Sequence, residues 1–120
     1  MDVTAKLQIK PGQRIATLAA SSGDVPPVAA ADVNPPAEPA AADVVVAFAR
    51  NRADLATVAA PALEAARQDK LAWIAYPKAG QLGTDLNRDI LASELSDHGV
   101  QPVRQVAIDE TWSALRFRPA

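Results

Sequence analysis

Nine residues that could hold a ligand or move a proton fall where apolar runs stop. Arg50 and Arg52 follow "DVVVAFA", and Lys78 follows "KLAWIAYP". Thr84, Asp85 and Arg88 belong to "KAGQLGTDLNRD", just past two glycines, and Asp109, Glu110 and Trp112 lie between two further apolar runs. Cations set against carboxylates could hold a small anion, or hold one carboxylate as a general base. The same groups could instead form an ion-pair network that fixes loops, and this second reading is favoured. One exposed ion pair is worth about 0–1 kcal/mol, so stability alone is a weak reason to gather so many.

Other chemistries fit less well. The stretch "PKAGQLGTD" is not a Walker phosphate loop, where the lysine follows the last glycine; here Lys78 precedes both. A helix N-terminus beside glycines and a lysine can still hold an anion, but Asp85 would supply negative charge there itself. A site for S-adenosylmethionine or a dinucleotide needs a glycine-rich turn after the first strand, so that backbone and helix N-terminus can approach the ligand. That strand is followed by "SSGDVPPV", with one glycine and prolines where the helix should begin. Asp32 is only a loose counterpart of the ribose-binding acid. No cofactor is expected. His98, the only histidine, ends a helix before Gly99, at the edge opposite the nine residues, where it would serve as a dipole partner. A Ser-His-Asp triad would have to recruit this misplaced group. Without cysteine a zinc site would need mainly carboxylates, and none is expected. Trp73 is expected in the core. Trp112 could be a ligand-stacking platform, but packing under a loop is the commoner use and is favoured.

The elements that must position these groups are legible in the apolar pattern. After the turn signal "KPG", residues 14–20 ("RIATLAA") read as a strand. Residues 21–42 hold five of the ten prolines, so at most one short edge strand at 25–30 is expected there. The β-branched run at 43–49 predicts a strand buried on both faces, as in a parallel sheet. Leu55, Val58, Ala59, Ala62, Leu63 and Ala66 recur at helical spacing, which predicts a helix over 52–68 with a kink or a break at Pro61. Residues 70–77 form a central strand. Thr84 or Asp85 is expected to cap a second helix, with Leu86, Ile90, Leu91 and Leu95 as its apolar stripe and Gly99 as its stop. Strands at 102–108 and 112–118, joined by the "DET" turn, must be antiparallel.

The totals bound the function class. The chain has 120 residues, with 12 basic and 14 acidic groups and a net charge of −2. This length fits one domain that hides about two-thirds of its unfolded surface. No clustered positive surface is expected, and so no nucleic acid and no anionic membrane as partner. Cysteine is absent, "MDVTAKLQIK" lacks a signal-peptide pattern, and no run approaches the ~18 apolar residues of a membrane span. A cytoplasmic location is expected.

"WIAYPK", "TDLNRD" and "VRQVAIDETWSALRFR" resemble a family of small bacterial proteins of unknown function. Its members pair a "KPGQR"-like start with a "YPK…DLNRD…VDETWSALRF" ending, and the resemblance covers most of the chain outside 21–42. It implies a fold and no activity. The strand order also resembles a shortened class I methyltransferase domain, in which the last strand is antiparallel and inserted beside the previous central strand. That likeness implies the sheet order 25–30, 14–20, 43–49, 70–77, 112–118, 102–108, and licenses no activity.

The expected fold is thus α/β: a mostly parallel Rossmann-like sheet ending in an antiparallel C-terminal hairpin, with two main helices on one face. In a parallel sheet ligands bind at the carboxyl ends of the strands, which is where all nine candidates should gather. Right-handed crossovers stepping the same way put both helices on one face. The other face is then expected to be covered partly by 21–42 and otherwise by association, as a homodimer or with a protein partner. The functional expectation is a non-catalytic binding domain. The alternative is an enzyme or small-anion binder at the edge formed by Lys78, Arg88 and Asp109.

Overall fold

The computed structural model describes residues 7–8, 13–19, 42–78, 84–108 and 110–120. The expected strand at 25–30, nearly all of the segment 21–42, and Asp109 lie outside them. The elements in chain order are β1 (Ile15–Ala19), β2 (Val44–Phe48), α1 (Arg52–Arg67), β3 (Leu71–Pro77), α2 (Arg88–Ser96), β4 (Val100–Ala107) and β5 (Trp112–Pro119). The strands form one mixed sheet in the order β1-β2-β3-β5-β4. β1, β2 and β3 are parallel, and β5 runs antiparallel between β3 and β4. Within the described residues this is the expected order.

All five residues of β2 are buried, as are six of the seven in β3. Their side chains alternate between two cores. On one side Val45, Ala47, Ile74, Tyr76, Leu115 and Phe117 pack with Leu55, Leu63, Leu91 and Leu95, so both helices lie on this face. On the other side Val44, Val46, Phe48, Trp73 and Trp112 form a second cluster with Leu7. The Trp73 indole N–H, which would be costly to bury without a partner, donates to the Leu7 carbonyl at 3.0 Å. Each residue of this second cluster is at most 3% exposed in the single chain. The helix-free face therefore leaves no broad apolar patch on these strands. Among the described residues Val103 is the only exposed large hydrophobic side chain.

α1 runs as one element through Pro61, where a kink or break is expected from the sequence. Proline removes one backbone donor, at a cost of about 3 kcal/mol in a helix interior. Seven buried residues along the same helix, from Leu55 to Ala66, hold it against the sheet on both sides of that point. β4 starts at Val100, two residues before Pro102, and carries a register shift between Pro102 and Arg104. It is an edge strand, where a residue without an N–H is tolerated.

Candidate functional site

The carboxyl ends of β2 and β3 and the start of the β5 hairpin meet at one end of the sheet. Pro77 pairs with Trp112, and the Lys78 N–H donates to the Thr111 carbonyl at 2.7 Å. The turn that holds Glu110 thus lies beside the end of β3, as the parallel topology requires. Arg50 and Arg52 follow β2 at the same end.

The second helix does not start where the sequence suggests. Its cap is Asn87, whose side chain accepts from the Ile90 N–H at 2.9 Å, and neither Thr84 nor Asp85 caps it. Thr84 accepts from the Leu86 N–H at 3.0 Å and closes a local turn. Asp85 reaches across to the other helix and accepts from the Arg52 N–H at 2.8 Å, at the first residue of α1. Three residues in "TDLN" are short polar groups able to cap, so local sequence does not decide among them; the burial of Leu86 does. Once Leu86 enters the core, Asn87 stands at the start of the helical turn and Asp85 faces α1.

The start of α1 is closed from three directions. The Asn51 side chain accepts from the Asp54 N–H at 2.8 Å, and the Asp54 carboxylate accepts from the Arg50 N–H at 3.3 Å. Asp85 accepts from a further N–H. Backbone donors without an intrahelical partner and the helix dipole make an N-terminus attractive to anions, and here the protein's own side-chain oxygens fill that role. The Arg52 guanidinium donates to Glu94 of α2, and Arg88 sits 3.8 Å from its neighbour Asp89. Among the described residues no ion pair joins Glu110 to Lys78 or Arg88. The expected juxtaposition of elements is present, without an ion pair from Glu110 to either cation among the described residues, and Asp109 lies outside them.

Trp112 is in the core. It is 1% exposed and meets Phe48 edge to face at a centroid distance of 5.6 Å. A ligand could not stack on it without opening the core, which leaves the packing role. His98 is exposed in the turn after α2, with its carbonyl accepting from Arg67 Nε at 3.0 Å. That contact places it at the far end of α1 from Asn51, as expected.

Two features stand outside the residues that the sequence pattern singles out. Tyr76 is buried, and its hydroxyl accepts from Gln105 Nε2 at 2.9 Å. Burial holds its phenol above the ordinary range, with Asp89 adding to the effect and Arg88 and Gln105 opposing it. A phenol kept protonated is a hydrogen-bond donor and not a ready base. The alternation along β3 was the signal: it sets Tyr76 with Ala72 and Ile74 on the helix side. The second feature is an apolar groove of about 390 Å³ between α1 and α2. Leu55, Ala59, Leu63 and Leu95 form its buried wall, and Arg67, Glu94 and His98 stand at its rim.

Among the described residues no group of three or more His, Asp or Glu side chains could hold a metal, and no helix is long and apolar enough to cross a membrane. No protein-family model, no curated protein and no solved structure matches this chain.

Proposed function

We propose that this chain is a non-catalytic binding domain on a degenerate Rossmann-like scaffold. Its groove between α1 and α2 receives an apolar segment of a protein partner, a second copy of the chain being the first partner to test. The observation that carries this reading is the groove itself. Its wall is alanine and leucine, its rim carries both signs of charge, and the exposed Ala56 and Ala60 leave room for a partner to approach. The small side chains of α1 let a partner's larger side chain enter, as when an amphipathic helix lays anchors into a groove.

The charged edge supports the same reading from the other side. Asp54 and Asp85 are engaged with backbone N–H groups, and Glu94 and Asp89 with arginines. An edge built this way braces loops. The "DLNRD" stretch that carries the family resemblance then acts as structural punctuation, with Asp85 and Asn87 closing two helices and Leu86 anchoring the loop between them. A cytoplasmic location belongs to this proposal and fits the absence of cysteine.

Light scattering at micromolar concentration tests it. A dimer mass is expected for the natural chain and a monomer for Ala60→Glu, which puts an unpaired charge into the groove. A strictly monomeric natural chain removes the second copy as occupant. A nucleotide, S-adenosylmethionine or phosphorylated metabolite that stabilises the chain through Lys78 and Arg88 would remove the non-catalytic reading.

A further inference from the structure

A different set of groups lies near the amino end of β3, away from the groove and from the Lys78 edge. Along β5, Trp112 and Ala114 enter the helix-free core, so alternation puts Arg116 and Arg118 on that same side. β4 sets Arg104 directly across from Arg116. Like charges directly opposite on adjacent strands destabilise a sheet. Arg118 is neutralised, because its Nε and a terminal nitrogen reach both oxygens of Asp69 at 3.0 and 3.3 Å. Arg104 is exposed and has no partner among the described residues.

Arg116 is half-buried and incompletely satisfied. One terminal nitrogen donates to Gln8 Oε1 at 3.0 Å, while its Nε is shut off from solvent and has no hydrogen-bond partner. A buried donor without an acceptor is costly, the more so when it carries charge. The side chain borders a polar cavity of about 360 Å³ that Gln8, Gln13 and Asp69 also line. Asp69, at φ 59°, is the left-handed residue that closes α1, where its N–H donates to the Ala66 carbonyl and the Lys70 N–H to the Ala65 carbonyl; Gln8 has φ of 61°.

We infer that Arg104 and Arg116 together hold a small oxyanion, a carboxylate or a phosphate, at the mouth of this cavity. An oxyanion between the two guanidiniums removes their mutual repulsion and accepts from the terminal nitrogens of both. Asp69 also lines the cavity, but Arg118 engages both of its oxygens and its single charge is outnumbered by the guanidiniums around it. Three guanidiniums against one carboxylate leave the region positive on a chain whose net charge is −2. The Arg116 Nε lies beneath the surface, so an oxyanion meets this side chain through its terminal nitrogens, and the short span between facing residues of adjacent strands favours a single carboxylate or phosphate over an extended polyanion. This site is independent of the groove and of the Lys78 edge.

The test is the melting temperature of the full chain in chloride, acetate and inorganic phosphate at one ionic strength and pH. Phosphate or acetate is expected to raise it by a few degrees over chloride, and the larger response tells which oxyanion fits. Arg104→Gln removes an exposed, unpaired side chain and leaves the fold intact; it is expected to weaken the oxyanion's affinity about tenfold. Lys78→Ala, at the opposite edge, is expected to keep the full response. Equal melting temperatures in all three salts overturn the inference. So does an undiminished response in Arg104→Gln, or its loss in Lys78→Ala, which would put the anion at the other end of the sheet.

Discussion

Asp85 separates a bracing edge from a catalytic one. Asp85→Ala removes the acceptor from the Arg52 N–H, a 2.8 Å bond linking residues 33 apart in sequence. Losing a side-chain acceptor at a helix start costs about 0.5–2 kcal/mol. The carboxylate's interaction with the helix dipole is worth a further ~0.3–1 kcal/mol at an exposed site. Asp85 is exposed, and Asn51 and Asp54 still close the rest of the turn. The loss should therefore fall near the low end of the sum, at about 1 kcal/mol. For a domain of this size that is a fall of roughly 4–6 °C in Tm. Asp85→Asn keeps an acceptor without the charge and should lose about half as much. Calorimetry and urea midpoints on the three proteins measure this directly. A carboxylate held ready for chemistry is commonly a source of instability, so its removal would leave Tm unchanged or raise it. A Tm for Asp85→Ala within about 1 °C of the natural chain, or above it, refutes the bracing role.

Tyr76 is the only tyrosine, so the pH-dependent change in phenolate absorbance reports on it alone. Its folded pKa is raised, chiefly by burial, so its stabilising contribution is complete below the unfolded value of about 10 and is lost as pH rises through the folded value. Alkaline unfolding should weaken in Tyr76→Phe, and a folded-state titration midpoint at or below the unfolded one would contradict the geometry. Trp112→Ala should cost about 3–5 kcal/mol, read from the urea midpoint, because it empties a buried site against Phe48; a nearly silent substitution would restore Trp112 as an exposed platform.

The apolar runs of this chain settle much of its architecture before any folding is considered. "VVVAF" and "LAWIAYP" are apolar at every alternate position on both faces, which only inner strands of a covered sheet tolerate. The short "DET" turn forces an antiparallel hairpin, and crossover handedness puts both helices on one side. These rules are local or topological, and they need no knowledge of which side chains touch. Gly99, at φ 81°, shows the same logic at a helix end: the turn needs a left-handed residue, and glycine takes that conformation at little cost.

Which polar group serves which partner was a different matter. Thr84, Asp85 and Asn87 are near equivalents as caps, and only the burial of Leu86 assigns each its donor, one of them on a helix 33 residues away. Trp112 sits next to a charged turn in sequence, yet its ring belongs to the core because Phe48 on β2 lies within 5.6 Å of it. Pro61 breaks the local rule for a helix, and packing along both sides of it wins. Arg104 and Arg116 are twelve residues apart across a turn, and the bulge in β4 sets the register that makes them face each other. A single-residue slip there would send Arg104 to the opposite side of the sheet, because side chains alternate strictly along a strand. Periodicity and turn chemistry are encoded within a few neighbouring residues and can be read from them. The pairing of long polar side chains depends on distances between elements, and those distances exist only once the sheet has closed its register and the helices have docked.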